Sequence, residues 1–435
     1  MTVGFSSRLA SPFQSTINDF SDVRETQLAE DYEKDGIPHR ETILTAKGVV
    51  TYEEIDRNVF QPNNYKIVEN SFPIPRLDFI VRPSCAKIFY EWLEIAKQAV
   101  PPDPPREIKE TQKNAFLLNG YSTLYQNSYY NGTAVPQEVI WDNIEQLMKA
   151  PRNEVIQYDH EGLVVYYALR GYPLRNMEGL VIGSQHPWIE VQALRSGAAK
   201  VYTVEYQKTK IVGTTKIKYI HPVEFAKRWK ENLEKFDFAI TFSSIEHSGL
   251  GRYGDPLDPI GDLREVLKVM CLLKKGGSVA RELLMVNGRS DSVAVEHAIS
   301  LRPGNALGIF EDRQDEIPDF WGKRTSAIIE KLVVSGTLLL KHLYKKGTLG
   351  SSRSHRIQDG SDLSGLFFVG FPRGKDAIKY NAHRYYGRIR IAMIMTGFKW
   401  IATYRDNSPY PQHPRREDFE TIDKHLQDIY VLEKI

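Results

Sequence analysis

The chain has 435 residues, with 57 basic and 55 acidic side chains and a formal net charge of +2. This length accommodates one large α/β domain with additions, or two domains. The near balance of charge argues against nucleic acid or an anionic membrane as the main partner. Residues 1–20 are polar and lack the apolar core of a signal peptide, and charges interrupt the longest apolar stretch, Ile328–Leu343. We therefore expect a soluble cytoplasmic protein with no membrane span.

The chain contains two cysteines, Cys85 and Cys271, each in an apolar context. This context is typical of small core residues, although a disulfide between them stays open. Two cysteines exclude a zinc site built on cysteine spacing, and the spacing of His, Asp and Glu predicts no metal site either.

The first third of the chain precedes the alternating strands and helices of the predicted core. Residues 1–40 are polar and aperiodic, which predicts a mobile tail. Residues 41–150 are interpreted as an N-terminal helical cap, because Cys85–Val100 and Pro136–Ala150 both place apolar residues at helical spacing.

Short apolar runs then alternate with helical patterns, which predicts an α/β, Rossmann-like, doubly wound sheet. The predicted strands are Gly179–Ser184, Lys200–Tyr206, Ile217–Ile220 and Phe236–Ser243, and the predicted helices between them are Pro187–Ser196 and Glu224–Lys235. Asp262 and Glu265 have the spacing of a capping box that opens a helix ending at Leu273.

The fifth strand, Gly365–Phe371, follows only after a long gap. The core is therefore predicted as residues 151–277 and 365–435, interrupted by residues 278–364. That segment is either a genuine insertion or non-coding sequence retained in a gene model, and in both cases we expect it to pack poorly. A helix at Arg388–Met395 and strands at Phe398–Tyr404 and Asp428–Ile435 predict a mostly parallel sheet with an antiparallel last strand.

Polar residues follow the predicted strands at the edge where such sheets bind nucleotides. Gly183 and Ser184 follow the first strand, Glu205 ends the second, and Ser243 and Ser244 follow the fourth. A glycine lets the backbone approach a ligand, and an acid at the second strand accepts from ribose hydroxyls. These five residues are the predicted cofactor site. The alternatives are that Gly183 and Ser184 form a plain strand-to-helix turn and that Glu205 is a solvated acid.

Beyond the fourth strand, Glu246, His247 and Asp255 are the predicted catalytic residues, since a carboxylate or imidazole can take a proton from an acceptor. The alternative is that they hydrogen-bond the glycine-rich loop around them and hold its shape. The predicted substrate-binding residues are Arg252, Tyr253, His383 and Arg384, of which Arg384 suits a carboxylate or phosphate.

Several motifs resemble a known family. They are Gly183-Ser184 with Pro187-Trp188, residues 243–256 (SSIEHSGLGRYGDP), residues 273–277 (LKKGG) and residues 380–387 (YNAHRYYG). They resemble the nematode-expanded domain of unknown function 268 and, more remotely, class I S-adenosylmethionine-dependent methyltransferases. The resemblance implies S-adenosylmethionine as cofactor and a methyl acceptor of unknown identity.

Two departures from the methyltransferase pattern keep other functions open. Val181 stands where such enzymes carry an acid, and Gln185-His186-Pro187 replaces further glycines. A catalytically degenerate Rossmann-like binding module is therefore one alternative. A different nucleotide-cofactor enzyme, such as a nicotinamide oxidoreductase, is the other, and the order of the strands discriminates it from a methyltransferase.

Overall fold

A computed structural model describes residues 42–97, 104–130, 138–276, 365–422 and 426–435. The predicted tail (1–40) and the predicted insertion (278–364) lie outside these ranges.

The N-terminal part is mixed rather than helical. Its strands are β1 (Thr42–Thr45), β2 (Gly48–Thr51), β3 (Tyr65–Glu69), β4 (Arg76–Phe79), β5 (Thr123–Asn127) and β6 (Val139–Trp141). Its helices are α1 (Tyr52–Ile55), α2 (Cys85–Lys97), α3 (Glu110–Phe116) and α4 (Ile144–Lys149). The prediction of a helical cap is therefore wrong for this part of the chain.

The predicted helix at Pro136–Ala150 divides into β6 and α4. Ile140 is 54% exposed and its neighbour Trp141 is 2% exposed, so the side chains alternate with the period of a strand. Periodicity over so short a segment does not separate a strand from the first turn of a helix.

The remaining elements carry the main sheet. They are α5 (Leu163–Gly171), β7 (Glu178–Ile182), α6 (Trp188–Arg195), β8 (Lys200–Val204), β9 (Thr209–Ile211), β10 (Ile217–Ile220), α7 (Pro222–Lys227), β11 (Phe238–Phe242), α8 (Gly261–Leu272), β12 (Leu366–Pro372), β13 (Ala377–Tyr380), β14 (His383–Tyr385), α9 (Arg388–Met395), β15 (Phe398–Tyr404) and β16 (Gln427–Lys434).

The largest sheet has seven strands in the order β10-β8-β7-β11-β12-β16-β15. The first five strands are mutually parallel, whereas β16 runs antiparallel to both of its neighbours. Every residue of β11 and β12 is buried, as expected for central strands covered on both faces. The prediction of a mostly parallel α/β sheet with an antiparallel last strand is confirmed.

A small sheet joins the beginning and the end of the chain. Strand β5 pairs in parallel with β13, which pairs antiparallel with β14. Two further strands from opposite sides of the predicted domain boundary, β6 and β9, also pair in parallel. The N-terminal part is therefore tied by backbone hydrogen bonds to two strands of the predicted core, β9 and β13, that lie outside the main sheet.

The predicted capping box on α8 is wrong. The residue before the helix is Ile260, which makes no side-chain cap, and Asp262 is fully buried beneath α9. Its carboxylate accepts two hydrogen bonds from Arg390 Nη1, at 2.7 and 2.8 Å, and one from the Tyr386 hydroxyl at 3.0 Å. A buried guanidinium is a stronger partner for a carboxylate than the exposed end of a helix.

Cys85 and Cys271 form a disulfide, which corrects the interpretation of both as plain core cysteines. Their α-carbons are 5.8 Å apart. The bond joins the start of α2 to the last turn of α8 across 186 positions of sequence. No helix in the described ranges combines the length and apolarity needed to cross a membrane.

Candidate functional site

A cleft opens at the carboxyl ends of β7, β8 and β11, and the space it encloses, open solvent included, is about 1270 Å³. The loops that follow these three parallel strands supply its polar wall, and helices α2, α7 and α8 supply apolar side chains. Predicted site residues that line it are Gly183, Ser184, Glu205, Ser243, Ser244, His247, Tyr253 and Asp255. Apolar and aromatic residues that line it include Phe89, Trp92, Trp188, Phe225, Phe242, Val269 and Leu272.

Gly183 turns the chain sharply at the end of β7. Its φ is +77°, and a β-carbon added there would lie 1.6 Å from Ser244 Oγ. Both the backbone conformation and the space therefore require glycine. The result is a tight turn whose backbone is open to the cleft.

Glu205 directly follows β8 and faces the same cleft. It is 7% exposed, and its Oε1 accepts the backbone N–H of Gln207 at 3.1 Å. Burial, reinforced by the nearby negative charge of Asp255, raises its pKa to about 7. The carboxyl is thus poised between its two protonation states at neutral pH.

Ser243 and Ser244 form the turn after β11. Ser243 has a φ of +52°, and its Oγ accepts a hydrogen bond from Gln427 Nε2 at 3.2 Å. Ser244 lies directly opposite Gly183. The two turns together make the narrow floor of the cleft.

His247 lies in a single helical turn, Ile245–His247, directly after the serines. Its Nδ1 is 2.6 Å from the carbonyl oxygen of Ala382, and because a carbonyl only accepts, Nδ1 carries the proton. Burial and the positive charge of Arg252 lower the pKa of His247 to about 3. The imidazole is therefore neutral, with its lone pair on Nε2.

Glu246 lies behind the cleft wall and is not among the side chains that line it. Its Oε1 is 3.6 Å from His247 Nε2, and its Oε2 is buried with no hydrogen-bond partner among the described residues. Burial raises the pKa of Glu246 to about 8, so the carboxyl carries a proton at neutral pH. The two residues predicted to act as general base are therefore a protonated carboxylic acid, Glu246, and a neutral imidazole, His247.

Asp255 shapes the glycine-rich loop. Its carboxylate accepts backbone N–H groups from Gly249 at 2.7 Å, Gly251 at 3.1 Å and Tyr253 at 3.1 Å. These bonds occupy both oxygens and match the alternative of a loop-holding role. Desolvation by burial nevertheless raises its pKa.

Arg252 and Tyr253 lie at the rim. The Arg252 guanidinium stacks at 4.6 Å from the Tyr130 ring centre and 4.9 Å from that of Tyr253, and its Nη1 donates to the Ala382 carbonyl at 3.2 Å. Of the two, Tyr253 lines the cleft and Arg252 does not.

His383 and Arg384 do not line the cleft. Arg384 is fully buried, and its guanidinium donates to four loop carbonyls, those of Glu246, Ser248, Asp258 and Pro259. This burial places Arg384 under the loop as a support, and not at the surface where the predicted carboxylate or phosphate would bind. His383 is also buried, with its ring centre 6.2 Å from that of His247.

Two residues of this region were missed by sequence reasoning. Tyr158 lines the cleft from the segment before α5, with a φ of +62°, an edge contact to Trp188 and a tilted ring contact to Phe242. Glu190, on α6, is fully buried and contacts the hydroxyls of Ser184 and Thr203. The signal for Glu190 was an acid between two apolar residues of the helix.

Within the described residues, no group of three or more His, Cys, Asp or Glu side chains could hold a metal ion. Two segments of the chain, residues 176–293 and 345–435, match the model of a family described as Caenorhabditis protein of unknown function, DUF268. The match supports the nematode family of unknown function that the motifs resemble. No curated protein matches the chain.

Proposed function

We propose that this protein is an S-adenosylmethionine-dependent methyltransferase with a class I, Rossmann-like catalytic core. The order of the main sheet carries the proposal. Numbered along the chain from β7, the parallel strands and the final hairpin read 3-2-1-4-5-7-6, with the seventh strand antiparallel and placed beside the fifth. An inserted antiparallel strand at this position is expected for methyl transfer and not for a nicotinamide oxidoreductase, so the order disfavours that alternative.

The residues of the cleft fit the proposed cofactor. Glu205 ends the second strand, where a carboxylate can accept from both ribose hydroxyls, and the bend at Gly183 lets the cofactor approach the backbone. Phe225, Val269 and Leu272 offer an apolar surface for a purine ring.

When bound, S-adenosylmethionine supplies an electrophilic methyl group on a positively charged sulfur. The chain's own contribution is to hold the acceptor in line beside Ser243, Ser244 and His247 and to exclude water. His247 lines this region with its lone pair on Nε2, and the low pKa of its imidazole makes it a weak base. The acceptor is therefore expected to be an acidic hydroxyl or thiol, or a nucleophile that is already deprotonated.

A catalytically degenerate binding module is the second candidate. Val181 occupies the position two residues before Gly183 where an acid is usual, and it is buried in β7. The predicted catalytic carboxyls are also engaged or protonated: Asp255 holds three backbone N–H groups, and burial raises the pKa of Glu246 to about 8. These features favour binding without proton transfer.

Isothermal titration with S-adenosylhomocysteine tests the proposal. We expect micromolar affinity in the wild-type protein and a loss of about tenfold or more in Glu205→Ala, because a charged hydrogen bond to the ribose is removed. Glu224→Ala is the matched control, since Glu224 is an exposed acid on α7 paired with Lys227. No heat at millimolar ligand would leave the binding module as the better interpretation.

A further inference from the structure

The helical wall of the cleft carries a largely buried ion pair. Helices α2, α7 and α8 supply this wall, and among the residues by which they line the cleft the two charged side chains are Glu265 and Lys268. They lie one turn apart on α8, and Lys268 Nζ forms an ion pair with Glu265 Oε1. Because an ion pair taken out of water often adds nothing to stability, its place in this wall points to a role in binding.

The ion pair leaves one carboxylate oxygen for a ligand. Lys268 is buried, and its Nζ lies 3.9 Å from the centre of the Trp92 ring, which fixes the ammonium beside Glu265 Oε1. In the described part of the chain no residue bonds the other oxygen, Oε2. The Glu265 side chain is 18% exposed and lines the cleft. An ionised carboxylate only accepts hydrogen bonds, so this position suits a donor on the ligand.

Glu265 lies close to the predicted ribose site. Tyr206 directly follows Glu205 and lines the same cleft. Burial raises the pKa of Tyr206 well above its usual value, and the negative charges of Asp255, Glu265 and Glu205 all add to that rise. One phenol is therefore near both Glu205 and Glu265. A nucleoside whose ribose is bound by Glu205 can direct its base toward Glu265 on α8.

We propose that Glu265 is a specificity-determining residue that selects adenine over 6-oxopurines by accepting a hydrogen bond from the amino group at the six-position. Lys268 holds the carboxylate in place for this contact. Adenine carries an amino donor at the six-position, whereas guanine carries a carbonyl oxygen there. That oxygen would meet the carboxylate with repulsion instead of a hydrogen bond. The identity of the ligand as S-adenosylmethionine rests on the proposed function.

Titration with two ligands that differ at the six-position tests the proposal. S-adenosylhomocysteine carries the amino group there, and S-inosylhomocysteine carries a carbonyl oxygen. We expect the wild-type protein to bind the adenine compound about tenfold or more tightly, because the other compound exchanges a charged hydrogen bond for a repulsion. Glu265→Gln should reduce this ratio to about threefold or less, since an amide can accept from an amino group or donate to a carbonyl.

Glu224→Gln is the matched control, with thermal melts confirming that both variants fold. Glu224 forms the same kind of pair one turn from Lys227 on α7, but it is exposed and does not line the cleft, so the ratio should stay as in the wild type. A purely structural role of Glu265 would lower both affinities together and leave their ratio unchanged in Glu265→Gln. That result would overturn the proposal, and so would equal binding of the two compounds by the wild type.

The free nucleosides adenosine and inosine, followed by ligand-observed NMR, separate this inference from the proposed function. If adenosine binds in preference to inosine and neither homocysteine compound binds, the methyltransferase proposal fails, and the ratio for the nucleosides in Glu265→Gln decides the role of Glu265. If no compound binds at millimolar concentration, both proposals fail.

Discussion

Gly183 and Ser244 face each other across the floor of the cleft at a distance that excludes any side chain at position 183. A β-carbon there would lie 1.6 Å from Ser244 Oγ and 2.6 Å from Ser244 Cβ, but 3.8 Å from Ser244 Cα. The contact brings the turns after β7 and β11 together. Because these turns define the floor of the cleft, its shape depends on one pair of small residues.

Gly183→Ala should lower the free energy of unfolding by about 2 kcal/mol or more, since it adds a steric clash to the cost of a left-handed backbone. Urea denaturation measures the change. Gly213→Ala is the matched control, because Gly213 has a similar φ of +85° and a β-carbon added there would meet nothing within 4 Å. It should lose only about 1 kcal/mol.

Gly183→Ala should lose more free energy of unfolding than Gly213→Ala. The double variant Gly183→Ala/Ser244→Gly should recover most of that extra loss, because it removes both clashing atoms of Ser244. Ser244→Ala in place of Ser244→Gly should recover less, since it keeps the β-carbon. Equal losses in Gly183→Ala and Gly213→Ala would show that the two turns do not approach so closely.

Arg384 and Arg252 should behave differently when each is replaced by methionine. Arg384→Met should cost about 3 kcal/mol or more, because it leaves buried loop carbonyls without donors. Arg252→Met should cost about 1 kcal/mol or less, because that side chain is only partly buried at the rim. Chemical denaturation gives both values.

Limited proteolysis complements this comparison, with faster cleavage expected between residues 246 and 259 in Arg384→Met alone. If Arg384→Met proves as stable as Arg252→Met, Arg384 does not support the loop.

The stability of the protein should fall as pH rises from about 6.5 to about 8.5. Burial raises the pKa of Glu246 from 4.5 to about 8, so its contribution to stability is full below about pH 4.5 and is lost as the pH rises through 8. The slope is about 1.4 kcal/mol per pH unit while the folded state keeps this proton and the unfolded state does not. Thermal melts across this range measure the fall.

Glu246→Gln should make this pH dependence shallower, because the amide does not titrate, while Glu190 and Glu205, whose pKa values burial raises to about 7, keep part of it. His247 acts in the opposite sense at lower pH: its pKa falls from 6.5 to about 3, so its contribution is full above pH 6.5 and is lost on acidification. Glu231→Gln, an exposed acid paired with Arg228, should keep the wild-type dependence. An unchanged slope in Glu246→Gln would contradict a protonated Glu246.

Removing the disulfide should lower the free energy of unfolding by about 4 kcal/mol, because the bond closes a loop of 186 positions in the unfolded chain. Cys85→Ser/Cys271→Ser, compared with wild type by denaturation, measures this loss. The helices should remain docked, since Lys268 Nζ lies 3.9 Å from the Trp92 ring centre and Arg264 Nη1 donates to Glu91 at 2.9 Å. Alkylation of either cysteine in the native, unreduced protein would contradict the bond.

Five elements of the main sheet and its helices were predicted closely. The bounds of β10, α9 and β15 agree with those predicted, and β11 and β12 differ by one or two residues at each end. Strands β11 and β12 are runs of mostly apolar residues that are buried throughout, as their composition predicts. The predictions failed where polar contacts decided the outcome: Asp262 has the spacing of a helix cap, but Arg390, 128 positions away, binds its carboxylate.

For the candidate site, too, the positions of some residues were predicted from the sequence and those of others were not. That Gly183 and Glu205 would reach one crevice followed from the sequence, because consecutive parallel strands end at the same edge of a sheet. That Arg384 lies under the loop did not follow, since an arginine after a strand has the same sequence pattern whether it is exposed or buried. Its four acceptors lie 125 to 138 positions away.

By itself, the sequence of this protein determined the alternation of strands and helices and the strand ends that carry polar residues, because local periodicity and turn chemistry act between neighbours. Only the tertiary structure decided which polar side chains face the cleft and which form the hydrogen bonds that hold its walls in place. Those outcomes depend on partners far apart in the chain, whose burial sets protonation and hydrogen bonding together.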